Sequence, residues 1–267
     1  MLNDYKGKAV IITGGTKGIG LAIGQSFARE GAHVYLTHKW GSAVEDEVYK
    51  SFDEMGATRP TIVEADVKED EETRALLDIV AQDHDSVEVF VSNVCIVQPA
   101  RGVDSYRRRS LLKSLEYSSW PMVAYTQEIK KKFNKYPRYI IGVSSDGPDN
   151  YFVNYEFVAA SKAVMETFCR YMAKHLGPEG VNVNVIRTRN VLTDAVYEIF
   201  GDSYTDFVGK YAGEEYFMHA EEIGDAVLAM CSGLMDAMSG QVLMVDKGIA
   251  FADTLMRLLE NKEELGL

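Results

Sequence analysis

Two adjoining stretches decide the fold: KAVIIT over Lys8–Thr13 and GGTKGIG over Gly14–Gly20. The first is a short, unbroken apolar run, the pattern of a strand buried on both faces. The stretch that follows, Gly18–Glu30, has helical period, with Ile19, Ala22, Ile23 and Phe27 on one face. Between them the glycines permit a tight turn and a close approach of backbone to an anion. The helix start offers unpaired N–H groups and a partial positive charge to the same anion. Strand, glycine turn and helix in that order open a βαβ unit. Gly14, Thr16, Lys17, Gly18, Ile19 and Gly20 thereby become candidate contacts for the pyrophosphate of a dinucleotide.

The alternation continues outward from this start. Further strands are predicted over His33–Thr37, Thr61–Ala65, Val87–Ser92, Arg138–Ser144, Val181–Arg187 and Gln241–Val245. Helices are predicted over Ala43–Met55, Glu69–His84, a long zone from 103 to 134, and Phe152–His175. Alternating βαβ units imply an α/β fold: a doubly wound parallel sheet of Rossmann type, about seven strands, with helices on both faces. No Pro/Ser-rich linker, repeat or low-complexity tract interrupts residues 1–267, which read as a single dinucleotide-binding domain. The segment 190–220 is irregular and aromatic-rich, with Tyr197, Phe200, Tyr204, Phe207, Tyr211, Tyr216 and Phe217. It follows the sixth strand, where doubly wound folds bind ligands, and so reads either as a lid over an apolar substrate or as plain packing. Residues 251–265 form a C-terminal tail, with an amphipathic helix predicted over Thr254–Leu265.

Composition narrows the function. The chain has 267 residues and a formal charge of −12, which argues against a general nucleic-acid binder. No apolar run approaches the roughly 18 residues of a membrane span, and Met1–Lys8 lacks a signal-peptide core. Cys95, Cys169 and Cys231 are too far apart for a metal motif and read as reduced thiols of a cytoplasmic protein. No metal is expected, and neither nucleic acid nor membrane as a partner.

The second strand should end at Thr37-His38-Lys39, with no carboxylate to bind a ribose 2′-hydroxyl. Lys17 in the glycine loop, with His38 and Lys39, favours a 2′-phosphate and hence NADP(H). The bland alternative leaves both lysines as solvated surface residues.

At these residues the sequence resembles the short-chain dehydrogenase/reductase family. Thr13–Gly20 matches its TGxxxGxG motif, and Ala65-Asp66-Val67 its adenine-contacting Asp, which implicates Asp66 and Val67. Ser92-Asn93-Val94-Cys95 stands where the family has Asn-Asn-Ala-Gly, so a cofactor-ribose contact is implied for Asn93 alone. The family's usual signature is Tyr-x-x-x-Lys, but four residues before Lys162 stands Val158, which has no proton to give. Tyr155 lies seven residues before Lys162. At about 100° per residue, seven steps return within about 20° of the same helix face, and place the phenol roughly 4.5 Å nearer the N-terminus.

Tyr-x6-Lys is the spacing of enoyl-acyl carrier protein reductases, and the segment from Val143 to Ala163 resembles the type III bacterial enzymes. The resemblance implies Tyr155 and Lys162 as the catalytic pair, with Lys162 also binding cofactor ribose and lowering the phenol's pKa. Ser145 falls at the family's catalytic Ser, and Tyr151 is a second phenol, either an auxiliary donor or packing. Thr193-Asp194-Ala195 matches the enoyl-reductase pattern and adds Thr193 to the cofactor contacts.

Three features depart from that pattern. Ser118 replaces the helix Asn of the family; Pro121 is expected to keep the associated kink and free the Tyr117 carbonyl. Thr188-Arg189 replaces Pro-Gly or Gly-Gly, and Arg189 reads as an anion contact or, slightly favoured, a solvated side chain. Arg107-Arg108-Arg109 and Lys130-Lys131-Lys132 suit an acidic carrier protein or a solvated helix face. The resulting expectation is an NADPH-dependent reductase of a conjugated C=C on a small-molecule or carrier-protein-bound acyl thioester, with the departures pointing to a specialised biosynthetic pathway. The alternatives are a 3-oxoacyl (carbonyl) reductase of atypical geometry and a catalytically silent NADP-binding sensor or scaffold. The resemblance further implies a homo-oligomer, dimer or tetramer.

Overall fold

The computed structural model describes residues 3–39, 43–201, 203–212, 216–263 and 265–266. Seven strands form one parallel sheet: β1 (Ala9–Ile12), β2 (His33–His38), β3 (Thr61–Glu64), β4 (Val89–Ser92), β5 (Tyr139–Ser145), β6 (Asn182–Thr188) and β7 (Val242–Val245). Their order is β3-β2-β1-β4-β5-β6-β7. The connections carry α1 (Gly18–Arg29), α2 (Glu45–Glu54), α3 (Asp70–Asp83), α4 (Arg108–Ser118), α5 (Trp120–Phe133), α6 (Glu156–Leu176), α7 (Asp194–Phe200), α8 (Tyr204–Ala212) and α9 (Ala220–Met230). A last helix, α10 (Thr254–Glu260), follows β7.

The period of two along each strand sorts the core into two layers. On one face Val10, Ile12, Val34 and Leu36 pack with Ile23 and Phe27 of α1 and Ile223 and Val227 of α9. On the other, Ile11, Tyr35 and Phe90 pack with Leu76 and Leu77 of α3, Tyr125 of α5 and Met165 of α6. Each such fully buried side chain contributes about 1.5–3 kcal/mol relative to exposure, which is why strands apolar on both faces are stable only between two helical layers.

Two helix boundaries differ from the sequence reading. The long zone from 103 to 134 is not one helix: it breaks at Ser119 (φ −120°, ψ −50°) into α4 and α5, just before Pro121. The break is the expected consequence of a residue that cannot donate to the preceding turn. The helix predicted to begin at Phe152 begins at Glu156, because Asn154 adopts a left-handed conformation (φ 61°) that a helix cannot continue through. Tyr155 is therefore the N-cap of α6, and its carbonyl accepts the first helical bond, from Ala159 N–H at 2.8 Å.

Between β6 and α9 the chain makes an excursion whose two ends, Val191 and Met218, pair in an isolated parallel bridge outside the sheet. The excursion holds α7 and α8; residues 202 and 213–215 of the segment lie outside the described residues. The C-terminal helix is shorter than Thr254–Leu265; residue 264 lies outside the described residues. Asp253 caps the helix by accepting from Leu255 and Met256 N–H.

Candidate active site

The strand order reverses between β1 and β4, and there the chain forms a cleft of about 1030 Å³ beyond the carboxyl ends of the strands. Gly14, Thr16, Lys17, Gly18, Ile19, His38, Lys39, Asp66, Val67, Asn93, Ser145, Tyr155, Lys162 and Thr193 all line it. Two expected residues do not. Gly20 sits under the glycine loop, where a Cβ would come 2.3 Å from the Gly14 carbonyl oxygen and 2.6 Å from Asn93 Nδ2; it is a packing glycine. Tyr151 is 83% exposed and outside the cleft lining, so the structure does not bring this phenol to the site.

At the glycine end, α1 begins without a side-chain cap and without an acid in its first turn, leaving its N–H groups for an anion. Asn93 staples this loop to β4: its amide donates to the Thr13 and Gly14 carbonyls at 3.1 and 3.0 Å, and its N–H to Thr13 Oγ1 at 3.1 Å. Lys17 reaches Asp194 of α7 at 3.4 Å, across the mouth. At the far end Lys39 forms an ion pair with Asp66 and donates to Tyr117 Oη at 2.6 Å, while Tyr117 donates to Asp66 at 3.1 Å. Lys39 is thus not the solvated cation that sequence allowed; Asp66 is buried, and an opposite charge stabilises it there. Near it His38 is buried with Nδ1 unpartnered.

At the other end β5 and β6 run in register, with Ser145 beside Thr188. Tyr155 Oη donates to Ser145 Oγ at 3.0 Å, and its ring packs on Gly147 and against Phe152, whose centroid is 5.7 Å away. Lys162 is buried, and Nζ donates to the Val143 carbonyl at 2.7 Å. Val158, at the spacing where a tyrosine is usual, is buried and lines the cleft. Burial holds the Tyr155 phenol above its usual pKa; electrostatic repulsion from Cys95 and from the Asp146 carboxylate pushes the same way, and the Ser145 hydrogen bond opposes them. Lys162, expected to lower this pKa, is not among the groups that set it: its Nζ donates to the Val143 carbonyl, and desolvation of the phenol dominates.

Several cleft residues were invisible or undervalued in the sequence. Cys95 is an exposed thiol in the cleft lining. Arg189, read as slightly more at home in solvent, pairs with buried Asp146 at 3.1 Å and lies over Phe152 at 5.2 Å. Behind the site, Arg187 grips buried Glu166 with Nε and Nη2, both at 2.6 Å, and Ser144 donates to the same carboxylate at 2.8 Å. Ser118, in place of the expected helix Asn, accepts from Ile96 N–H at 3.3 Å. The Lys130-Lys131-Lys132 run is spent on Glu179, Glu128 and Asp78.

The family profile described as "Enoyl-(Acyl carrier protein) reductase" matches residues 14–250. The chain belongs to that family, within the short-chain dehydrogenases/reductases. This enoyl-reductase-family chain is 26% identical over 272 residues to the NADH-dependent enoyl-(acyl-carrier-protein) reductase FabI of Aquifex aeolicus, covering 97% of each chain. It is 26% identical over 243 residues to 1-cyclohexenylcarbonyl-CoA reductase of Streptomyces collinus, covering 90% of this chain and 86% of that one. Its fold matches a solved 7α-hydroxysteroid dehydrogenase, complexed with NADH and 7-oxo glycochenodeoxycholic acid, at TM-score 0.79 and 24% identity, over 93% and 98% of the two chains. The family member is an oxidoreductase that uses a nicotinamide dinucleotide. Among the described residues no helix is long and apolar enough to cross a membrane, and no group of three or more His, Cys, Asp or Glu is placed to hold a metal ion.

Proposed function

We propose that the chain is an NADPH-dependent reductase of a conjugated C=C on an acyl thioester. The observation that carries this reading is the Tyr155 hydroxyl, hydrogen-bonded to Ser145 in the cleft, while the position four before Lys162 is a buried valine. A bound nicotinamide dinucleotide supplies the hydride. In a carbonyl reduction the hydride and the proton reach adjacent atoms. In an enoyl thioester the β-carbon takes the hydride, and negative charge develops on the thioester oxygen, two carbons further on. A phenol at the mouth of α6, rather than one turn inside it, suits that remote oxygen.

Tyr155 acts as a hydrogen-bond donor to the developing enolate. Its raised pKa keeps it protonated at neutral pH, so it arrives as a donor and not as a phenolate. Ser145 accepts from Tyr155 and fixes its rotamer. Lys162, anchored by one N–H on Val143, has two more to give to ribose hydroxyls. Leu192, Val196 and Phe200 from the excursion line the cleft as an apolar wall, and so act as the lid that excludes water.

The dinucleotide fits the residues present: an uncapped helix start faces the pyrophosphate, and unpartnered His38 Nδ1 stands at the end of β2. The Thr37-His38-Lys39 segment brings no carboxylate of its own, and Lys17, His38 and Lys39 line the cleft, which supports the 2′-phosphate form, unlike the NADH-named Aquifex relative; Lys39 then exchanges Asp66 for the phosphate. A cytoplasmic homo-oligomer completes the reading; the exposed Phe251, Leu255, Met256 and Leu259 at the C-terminus offer it an apolar face. The test is direct. Purified protein with NADPH is given a 2-enoyl or a 3-oxoacyl thioester, and loss of NADPH absorbance is followed. Oxidation with the enoyl substrate alone is expected; oxidation with the oxo substrate alone overturns the reading, and repetition with NADH tests the cofactor.

A further inference from the structure

We propose that Thr188 and Arg189 form a carboxylate subsite, and that the preferred substrate is a short 2-enoyl thioester carrying a carboxylate beyond its double bond. The proposal rests on the enoyl-thioester reading and names its substrate class. Its starting point is a pair of polar atoms with no partner. Thr188 Oγ1 and Arg189 Nε are both buried, both lie in residues lining the cleft, and neither has a hydrogen-bond partner. Thr188 is 6% exposed. Buried donors without acceptors are uncommon, because each forgoes its hydration for nothing.

The neighbouring arginine shows what this geometry is for. Arg187 places Nη1 on Asp149 and offers its other edge, Nε and Nη2, to both oxygens of Glu166. Arg189, two residues on, repeats the first half: its Nη1 lies 3.1 Å from Asp146 Oδ2. The second half is missing, since Nε has no acceptor. One guanidinium between two carboxylates is therefore an arrangement that this protein already builds. A planar fork of two N–H groups matches a carboxylate better than any single-oxygen acceptor. The guanidinium lies over Phe152, 5.2 Å from its ring centroid, a cation–π contact that adds to the Asp146 pair.

Position gives the length of the acyl group. Thr188 is the register partner of Ser145, which receives the Tyr155 hydroxyl. The subsite therefore adjoins the reacting carbons, and the carboxylate belongs within a few atoms of the double bond. A plain alkyl chain leaves both donors unsatisfied and is disfavoured for that reason. Where the family resemblance leads one to expect Pro-Gly or Gly-Gly, which bring no side-chain donor, this chain presents a hydroxyl and a guanidinium.

The test measures binding and turnover separately. Affinities of glutaryl-CoA and butyryl-CoA for the NADP⁺-loaded protein are taken by calorimetry, for wild type, Arg189→Gln and Arg189→Lys. Lysine keeps a charge for Asp146 but lacks the fork, so it guards against a variant that fails only by unfolding. Wild type is expected to prefer glutaryl-CoA by at least about tenfold, the scale of one charge-assisted bidentate contact. In Arg189→Lys the preference is expected to collapse toward one, with a matching fall in the glutaconyl-to-crotonyl ratio of kcat/KM carried by KM. Equal affinities in wild type, or a preference that survives in Arg189→Lys, overturn the subsite. If neither unsaturated thioester is reduced but the glutaryl preference exists and Arg189→Lys removes it, the enoyl reading fails and the carboxylate subsite stands.

Discussion

Replacing Tyr155 with Phe tests the chemistry most directly, because the structure separates what the hydroxyl does for stability from what it does for the reaction. The hydroxyl makes one neutral hydrogen bond, to Ser145 Oγ at 3.0 Å. Losing it leaves Ser145 with the Gly147 N–H at 3.3 Å, and the phenylalanine ring keeps the contacts with Gly147 and Phe152. The expected cost is about 1 kcal/mol, or roughly 2–4 °C in Tm for a chain of this size. In the proposed reaction the same hydroxyl is a donor aimed at developing charge, and such donors contribute about 10²–10³ in kcat. Tyr155→Phe should therefore lose two to three orders of magnitude in kcat on an enoyl thioester, about 2.7–4 kcal/mol, while folding and dinucleotide affinity change little. Stopped-flow NADPH oxidation, thermal melting and NADPH fluorescence titration measure the three quantities on one preparation. Because burial raises the phenol's pKa, wild-type kcat should show no limb from its ionisation near neutral pH. Full activity in the variant would move the proton donor elsewhere; joint loss of activity and cofactor binding would make Tyr155 a structural residue.

Other expectations follow from contacts elsewhere. Gly20→Ala places a Cβ 2.3 Å from a backbone oxygen, so the helix must shift away from the loop; cofactor affinity and Tm should both fall, and unchanged NADPH titration would refute the close packing. Gly147→Ala places a Cβ 2.6 Å from Tyr155 Cε1, and kcat should drop far more than dinucleotide affinity as the phenol is displaced. Lys39→Ala should lower the ratio of kcat/KM for NADPH over NADH by about tenfold or more; an unchanged ratio would mean that Lys39 stays on Asp66 when cofactor binds. Tyr35 and Tyr125 are pushed up to about 12, above the usual phenol value of 10.0, chiefly by burial. The stability they contribute is complete below pH 10 and is lost as pH rises toward 12, because the unfolded chain gives up those protons first. Tm should therefore decline across that window, less steeply in Tyr35→Phe, and a flat profile would contradict the burial argument.

The sheet was legible because its signals are local. Each strand is an apolar run between turn residues, and the glycine loop announces both its turn and its helix. Spacing along one helix sufficed for Val158 and Lys162, which both lie in α6 and line the cleft; Tyr155 also lines the cleft, but from the N-cap position and not from the helix face that its spacing suggested. The site was not legible where a partner lies far away in sequence. Lys39 finds Asp66 and Tyr117, and Arg189 finds Asp146, through the folding of separate strand ends onto one rim. Nothing in either neighbourhood marks those pairs beforehand. The start of α6 was misplaced for a different reason: Asn154 takes a positive φ that its neighbours do not signal, so the helix begins at Glu156 and Tyr155 is left at its threshold.

The Val191–Met218 bridge ties both ends of the excursion to one point of the scaffold. The excursion is wired to the site from there: Asp194 reaches Lys17 of the glycine loop at 3.4 Å, and Phe200 lies 6.2 Å from Phe152, whose ring stands 5.7 Å from Tyr155. A side chain exchanged between the two anchor points is thus felt at both ends of the cleft, at the glycine loop through Asp194 and at the phenol through Phe200 and Phe152.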